Sequence, residues 1–252
     1  LCYTNGMTFH NPVALLSEEI ITCTRCPRLI EWCRQVAVQK KREYRDWDYW
    51  GKPIPPMGRV DAKLLIVGLA PAAHGGTRTG RVFTGDSSGD FLFAALHRVG
   101  FANQPLSRDR DDGLELIDAY ITAVARCAPP ANKPTPAELA QCRPFLLREL
   151  EMLIKLRVVI CLGKIAFDNY LSAVRQLGHS VPRVEFGHAR LHDLGSGLPA
   201  LIASYHPSRQ NTNTGRLTRP MFDSVFELAR SLVDAPGSAE TKGLARNTQS
   251  DS

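Results

Sequence analysis

The sequence contains no apolar run long enough to cross a bilayer. Its first residues also lack the charged stretch followed by an apolar one that marks a secretory signal. These two absences predict a protein that stays in the cytoplasm and off membranes. No segment recurs at a fixed period, which excludes solenoids and propellers. There is no glycine-rich loop ending in Gly–Lys–Ser/Thr and no G-x-G-x-x-G spacing, which excludes the common mononucleotide and dinucleotide cradles.

The composition that remains is that of an ordinary globular chain. Of 252 residues, 44% are hydrophobic and 22% charged, enough apolar material for one large core. We expect a single domain over residues 1–235, followed by a disordered tail at 236–252 that is rich in Gly, Ser, Thr and charge. The formal net charge of +6 suits a polyanionic partner without demanding one. Seven cysteines in a reducing compartment point to metal or redox chemistry rather than to disulfides.

Four short runs rich in Leu, Ile and Val (63–69, 116–124, 158–162 and 200–205) do not alternate in polarity, the signature of strands covered on both faces. Helical patterns lie between and around them, at about 89–99, 136–156, 164–176 and 220–233, and another runs from about 13 to 38. Strand alternating with helix implies a parallel sheet with helices on both sides. Ligands of such sheets bind beyond the carboxyl ends of the strands. The loops there, at 68–89, 126–136 and 206–217, are where chemistry is expected.

Cys23-Thr24-Arg25-Cys26 is a C-x2-C pair, and Cys127 and Cys142 follow with fourteen residues between them. Four thiolates suit either a [4Fe–4S] cluster or a tetrahedral zinc ion; the second spacing is wider than that of a zinc ribbon and leans towards the cluster. Cys161 lies in an apolar strand and reads as core, Cys33 falls on a helix, and Cys2 lies in an N-terminal arm. After the first strand, small residues give way to Asp86 and Ser87, either of which can cap the next helix. Phe83, set among Gly, Thr and Arg, offers a stacking surface. His206 stands at the carboxyl end of the last strand. The basic stretch from Lys40 to Arg45 reads equally as a solvated helix end or as a nucleic-acid contact.

Several of these segments, in order, resemble motifs of the uracil-DNA glycosylase superfamily, in particular its iron–sulfur-containing family 5. They are Gly68-Leu69-Ala70-Pro71-Ala72 with His74-Gly75, and Arg78-Thr79-Gly80-Arg81. Phe83-Thr84-Gly85-Asp86-Ser87-Ser88-Gly89 follows, then Arg126-Cys127-Ala128-Pro129-Pro130-Ala131-Asn132-Lys133-Pro134-Thr135-Pro136, and finally His206-Pro207-Ser208. The resemblance spans roughly residues 16–233. It implies a three-layer α/β/α sandwich around a central four-stranded parallel sheet. It implies a [4Fe–4S] cluster on Cys23, Cys26, Cys127 and Cys142. The activity it implies is monofunctional hydrolysis of the N-glycosidic bond of uracil and other deaminated bases in DNA, by a monomer, leaving an abasic site for base excision repair.

Residue by residue, the resemblance makes Asp86, Asn132 and His206 catalytic. Ala70, Ala72, His74 and Phe83 join Asn132 and His206 in binding the base, and Arg78, Ser208, Arg209 and Gln210 bind DNA. Elsewhere in the superfamily an apolar wedge follows the His-Pro-Ser by two positions; here that position is the polar Gln210. The positions that carry polar groups after the first strand in other branches are Leu69 and Ala70, which moves the catalytic burden towards Asp86. The competing reading is a non-catalytic iron–sulfur DNA-binding protein of the same fold.

Overall fold

The computed structural model describes residues 11–195 and 197–236; the arm with Cys2 and the tail from 237 onward lie outside the described residues. The chain opens with α1 (Pro12–Ile21) and α2 (Pro27–Gln39), joined by a bend that carries the C-x2-C pair. A single helix over 13–38 is therefore corrected to two. Apolar periodicity runs through the bend, but Pro27 has no N–H to donate and starts a new helix at its first position.

After a 3-10 turn (Arg42–Tyr44) the order is β1 (Met57–Gly58), β2 (Leu64–Gly68), α3 (Gly76–Thr79), α4 (Ser87–Arg98) and β3 (Ala119–Ala123). Next come α5 (Pro136–Met152), β4 (Val158–Leu162), α6 (Lys164–Gln176) and β5 (Arg190–His192). The chain ends with β6 (Ala200–Ser204), α7 (Arg209–Asn213) and α8 (Arg219–Asp234). The sheet order is β1-β3-β2-β4-β6-β5. The inner four strands are parallel, as expected, and short antiparallel strands border them on both edges, making six in all.

Because side chains alternate across a sheet, the register sorts the core into two layers. Ile66, Ile121, Ile160 and Ile202 stand in one row across the inner strands and pack with Leu92, Phe93 and Leu96 of α4 and Phe222 and Phe226 of α8. Their neighbours Leu65, Tyr120, Val159 and Leu201 face the other side, against Leu150 of α5 and Phe167 and Tyr170 of α6. Cys161 belongs to this second layer and is fully buried. The result is helix layers on both faces of a mostly parallel sheet. The chain leaves β2 for β3 on one side and returns to β4 on the other, which opens a crevice at the carboxyl ends of the strands.

Candidate active site

The loop after β2 looks polar in sequence, yet it is packed inward. Thr77, Arg78, Thr79, Arg81 and Thr84 are all buried. Arg81 donates to Thr84, Ser107 and Asp112, and Thr84 meets Ser107 at 2.6 Å. This internal network fixes Phe83, whose φ of +50° is a left-handed conformation rare for an aromatic residue. The Phe83 ring lies over Gly68 at the end of β2, so close that a Cβ there would sit 2.7 Å from it. Its carbonyl presses on Gly89, where any side chain would collide with it.

Asp86 is the N-cap of α4. Its Oδ1 accepts the N–H groups of Ser88 (2.9 Å) and Gly89 (3.0 Å). Oδ2 points towards Gly75, and no donor reaches it among the described residues. Burial raises the Asp86 pKa above the ordinary carboxylate value, while the two N–H bonds oppose that rise. One oxygen of Asp86 therefore caps the helix, and the other accepts no hydrogen bond among the described residues.

At the end of β6, His206 stacks on Phe83, with ring centroids 5.8 Å apart and planes 28° apart. Burial lowers its pKa to about 4, so the imidazole is neutral at physiological pH. Its carbonyl accepts from Ser208 N–H and from Asn211 Nδ2. Ser208 Oγ caps α7, and Arg209 Nε donates to Ser87 Oγ at 3.1 Å, which ties this loop to the start of α4. Arg209 and Gln210 are exposed at the crevice rim, where a DNA contact was expected.

Two expected residues sit differently. Arg78 is only 4% exposed. Its guanidinium lies between the rings of Tyr44 and Trp47 and bonds to the carbonyls of His74 and Gly85. A DNA phosphate cannot reach it, and the expected DNA contact is corrected to an internal brace. Asn132 lies on an exposed turn after β3, where Ala131 (φ +53°) and Asn132 (φ +56°) are both left-handed. It shares the carboxyl-end rim with Phe83, Asp86 and His206 but makes no hydrogen bond to them. Ala70 and Ala72 are half-buried in the β2 loop, and His74 there lies 3.1 Å from the Tyr49 hydroxyl through Nδ1. Burial, then Lys41 and Arg78, lower the His74 pKa.

Away from the crevice, the thiols of Cys23, Cys26, Cys127 and Cys142 line one small cavity with Leu29, Ile30, Pro53 and Arg126. None of the four is in a disulfide. Arg28 of α2 pairs with Glu138, which completes the capping box at the start of α5 and docks the N-terminal helices against it. Cys33 lies beside Cys127 and donates to the Ala128 carbonyl at 3.8 Å.

Residues 55–230 match the family described as the uracil DNA glycosylase superfamily. A type-5 uracil-DNA glycosylase of Mycobacterium tuberculosis is 48% identical over 220 residues, covering 86% of this chain and 81% of that protein. Another, from Thermus thermophilus, is 46% identical over 218 residues, covering 86% and 96%. The chain belongs to the uracil-DNA glycosylase superfamily. A type-5 enzyme of Pyrobaculum aerophilum is 43% identical, with 86% and 91% covered.

Within this superfamily fold, three features of the site escaped the sequence. His188 accepts the Tyr205 N–H at Nδ1 (3.2 Å), which leaves the proton on Nε2 to donate to the Met221 carbonyl (3.2 Å). The ring also stacks on Tyr205, so His188 fixes the peptide leading into His206. The Tyr49 contact to His74 is the second feature, and the Tyr44–Trp47 clasp on Arg78 is the third. No motif marks any of these partners; only the fold brings them together.

Proposed function

We propose that this chain excises uracil from DNA by hydrolysing the N-glycosidic bond, as a monomer carrying a [4Fe–4S] cluster. The observation that carries the reading is the convergence of the Phe83–His206 stack and the free oxygen of Asp86 at the carboxyl ends of β2 and β6.

A base inside a duplex is out of reach, so it must swing out of the stack, at a cost of a few kcal/mol. Arg209 and Gln210, on the rim, meet the DNA as Ser208 holds their helix. Phe83, stacked beside His206, lines the pocket for the extruded base. Bond cleavage leaves negative charge on the departing pyrimidine and positive charge on the sugar. His206 is neutral, and it donates a hydrogen bond to the pyrimidine O2 as charge gathers there. Asp86 Oδ2 faces the opposite need: it stabilises the cationic sugar and orients the attacking water. Asn132, whose amide both donates and accepts, reads the Watson–Crick edge from the turn after β3.

Cys23, Cys26, Cys127 and Cys142 line one cavity, and four thiolates are a donor set that suits a [4Fe–4S] cluster. Held by Cys23, Cys26, Cys127 and Cys142, the cluster would supply a covalent tie among the α1–α2 bend, the loop leading to Asn132, and α5. With Leu69 and Ala70 in place of polar gate residues, the base pocket accepts hypoxanthine and other deaminated bases as well as uracil.

The test is base release from a labelled duplex carrying one uracil, in EDTA, with and without alkali. Strand cleavage only after alkali is expected, from a brown protein holding on the order of four iron atoms per chain. A brown, folded protein that binds the duplex but releases no base from any deaminated lesion would establish the binding-protein reading instead.

A further inference from the structure

The stretch from Lys40 to Trp50 has no role in the chemistry described so far. Its charges nearly cancel, four basic (Lys40, Lys41, Arg42, Arg45) against three acidic (Glu43, Asp46, Asp48). Its aromatic residues are placed more tellingly. The Arg78 guanidinium carbon lies 4.0 Å from the ring centroids of both Tyr44 and Trp47. In that clasp, Nε donates to the His74 carbonyl and Nη2 to the Gly85 carbonyl, each at 2.9 Å. Backbone bonds from Trp50 N–H to the Arg78 carbonyl and from Gly51 N–H to the Thr77 carbonyl, both 3.0 Å, hold the stretch in place.

The guanidinium therefore pins together the two ends of the 74–85 excursion. Gly85 precedes Asp86, and Gly85 has φ +76° with no room for a side chain against Arg78 Nη2. With the Gly85 carbonyl held, and Oδ1 of Asp86 held by Ser88 and Gly89, the direction of Oδ2 is set. Lysine would not reproduce this arrangement, because its compact, strongly hydrated ammonium lacks the rigid planar fork that reaches both carbonyls from beside the two rings.

We propose that Arg78, clasped by Tyr44 and Trp47, is a positioning residue that aims Asp86 at the reacting sugar, and that the 40–50 stretch is its support. The proposal rests on the glycosylase reading for its kinetic consequence. Trp47 is the point to probe, because it is 36% exposed and its loss leaves the core intact.

In single-turnover base release with enzyme in excess, Trp47→Ala should lower the saturating rate about 10–100-fold, as displacement of a distant support does. The half-saturating concentration and the Tm should hold, and Trp47→Phe, which restores a ring face, should recover most of the rate. Hydrogen exchange at the amides of residues 85–89 should quicken in Trp47→Ala and not in Trp47→Phe. An unchanged rate and unchanged exchange would overturn the proposal. So would a weakened half-saturation at full rate, which would mean that Trp47 touches DNA. Failure of the wild type to release any base would sink the glycosylase reading alone, and the exchange measurement would still decide the clasp.

Discussion

The loops after β2 and after β3 both reach the crevice, and they are built in opposite ways. The β2 loop buries five polar residues and bonds nearly all of them internally. The β3 turn leaves Ala131 and Asn132 exposed and left-handed. Groups that must meet developing charge benefit from being fixed beforehand, since they then need no reorganisation during the reaction. A group that reads the edge of an incoming base gains from being reachable before closure. The contrast is what the proposed function asks of a loop that holds Asp86 and a turn that offers Asn132, and on that proposal substitutions in each should fail differently.

The largest separation is expected at Asp86→Asn. Asparagine caps a helix about as well as aspartate. Loss of the carboxylate should lower the saturating rate of uracil release by about 10²–10⁴-fold. Stability should move the other way. Burial raises the folded pKa of Asp86 above its unfolded value, so the ionised form is a cost at neutral pH that is relieved as pH falls. Removing that charge should hold or raise the neutral-pH Tm. His206 has the opposite sign. Its folded pKa is depressed to about 4, so the unfolded chain takes up a proton first and stability falls as pH drops from about 6.5 towards 4. Parallel thermal melts of wild type, Asp86→Asn and His206→Gln across that window check both signs. An Asp86→Asn protein with full activity would erase the contrast between the loops.

A smaller effect is expected at Asn132→Ala. Losing one paired amide at a recognition edge costs about 1–3 kcal/mol, or roughly 5–150-fold in kcat/KM for uracil. Because the residue is exposed, the Tm should not move. A fall in kcat/KM for uracil with hypoxanthine release less affected would sharpen the assignment of Asn132 to base reading. Equal loss on both bases would place it instead with the chemistry of Asp86.

How far these loops could be read from sequence follows from the range of the interactions that build them. The buried strands were legible because burial on both faces leaves an unbroken apolar run, and 158–162 and 164–176 match the observed β4 and α6. The edge strands β1 and β5 were not legible. They are two and three residues long, and their pairing is decided by neighbours far along the chain. Asp86 as a cap was legible because capping is local. Arg78 was given to DNA by the resemblance, and nothing in its local sequence marks it as buried. Its true partners lie some thirty residues earlier, in a stretch with no motif. His188 escaped for the same reason. The four cysteines were legible as a set, and they line one cavity; the bend that presents the first pair was hidden by continuous periodicity.

The smallest and most discriminating test concerns the strain in the free turn. Alanine in a left-handed conformation costs about 1–2 kcal/mol, and glycine does not. Ala131→Gly removes that strain and gives back part of the gain as unfolded-chain entropy. A net stabilisation of up to about 1 kcal/mol is expected, seen as a rise in Tm of about 2–4 °C for a domain of this size. If the strain only happens to accompany the turn, activity should stay at the wild-type level. If it holds Asn132 poised towards the crevice, the more stable variant should be the poorer enzyme, with kcat/KM for uracil reduced a few-fold and the saturating rate kept. A lower Tm would mean that the left-handed pair is braced by the folded chain rather than strained against it, and the two loops would then differ in exposure but not in preorganisation.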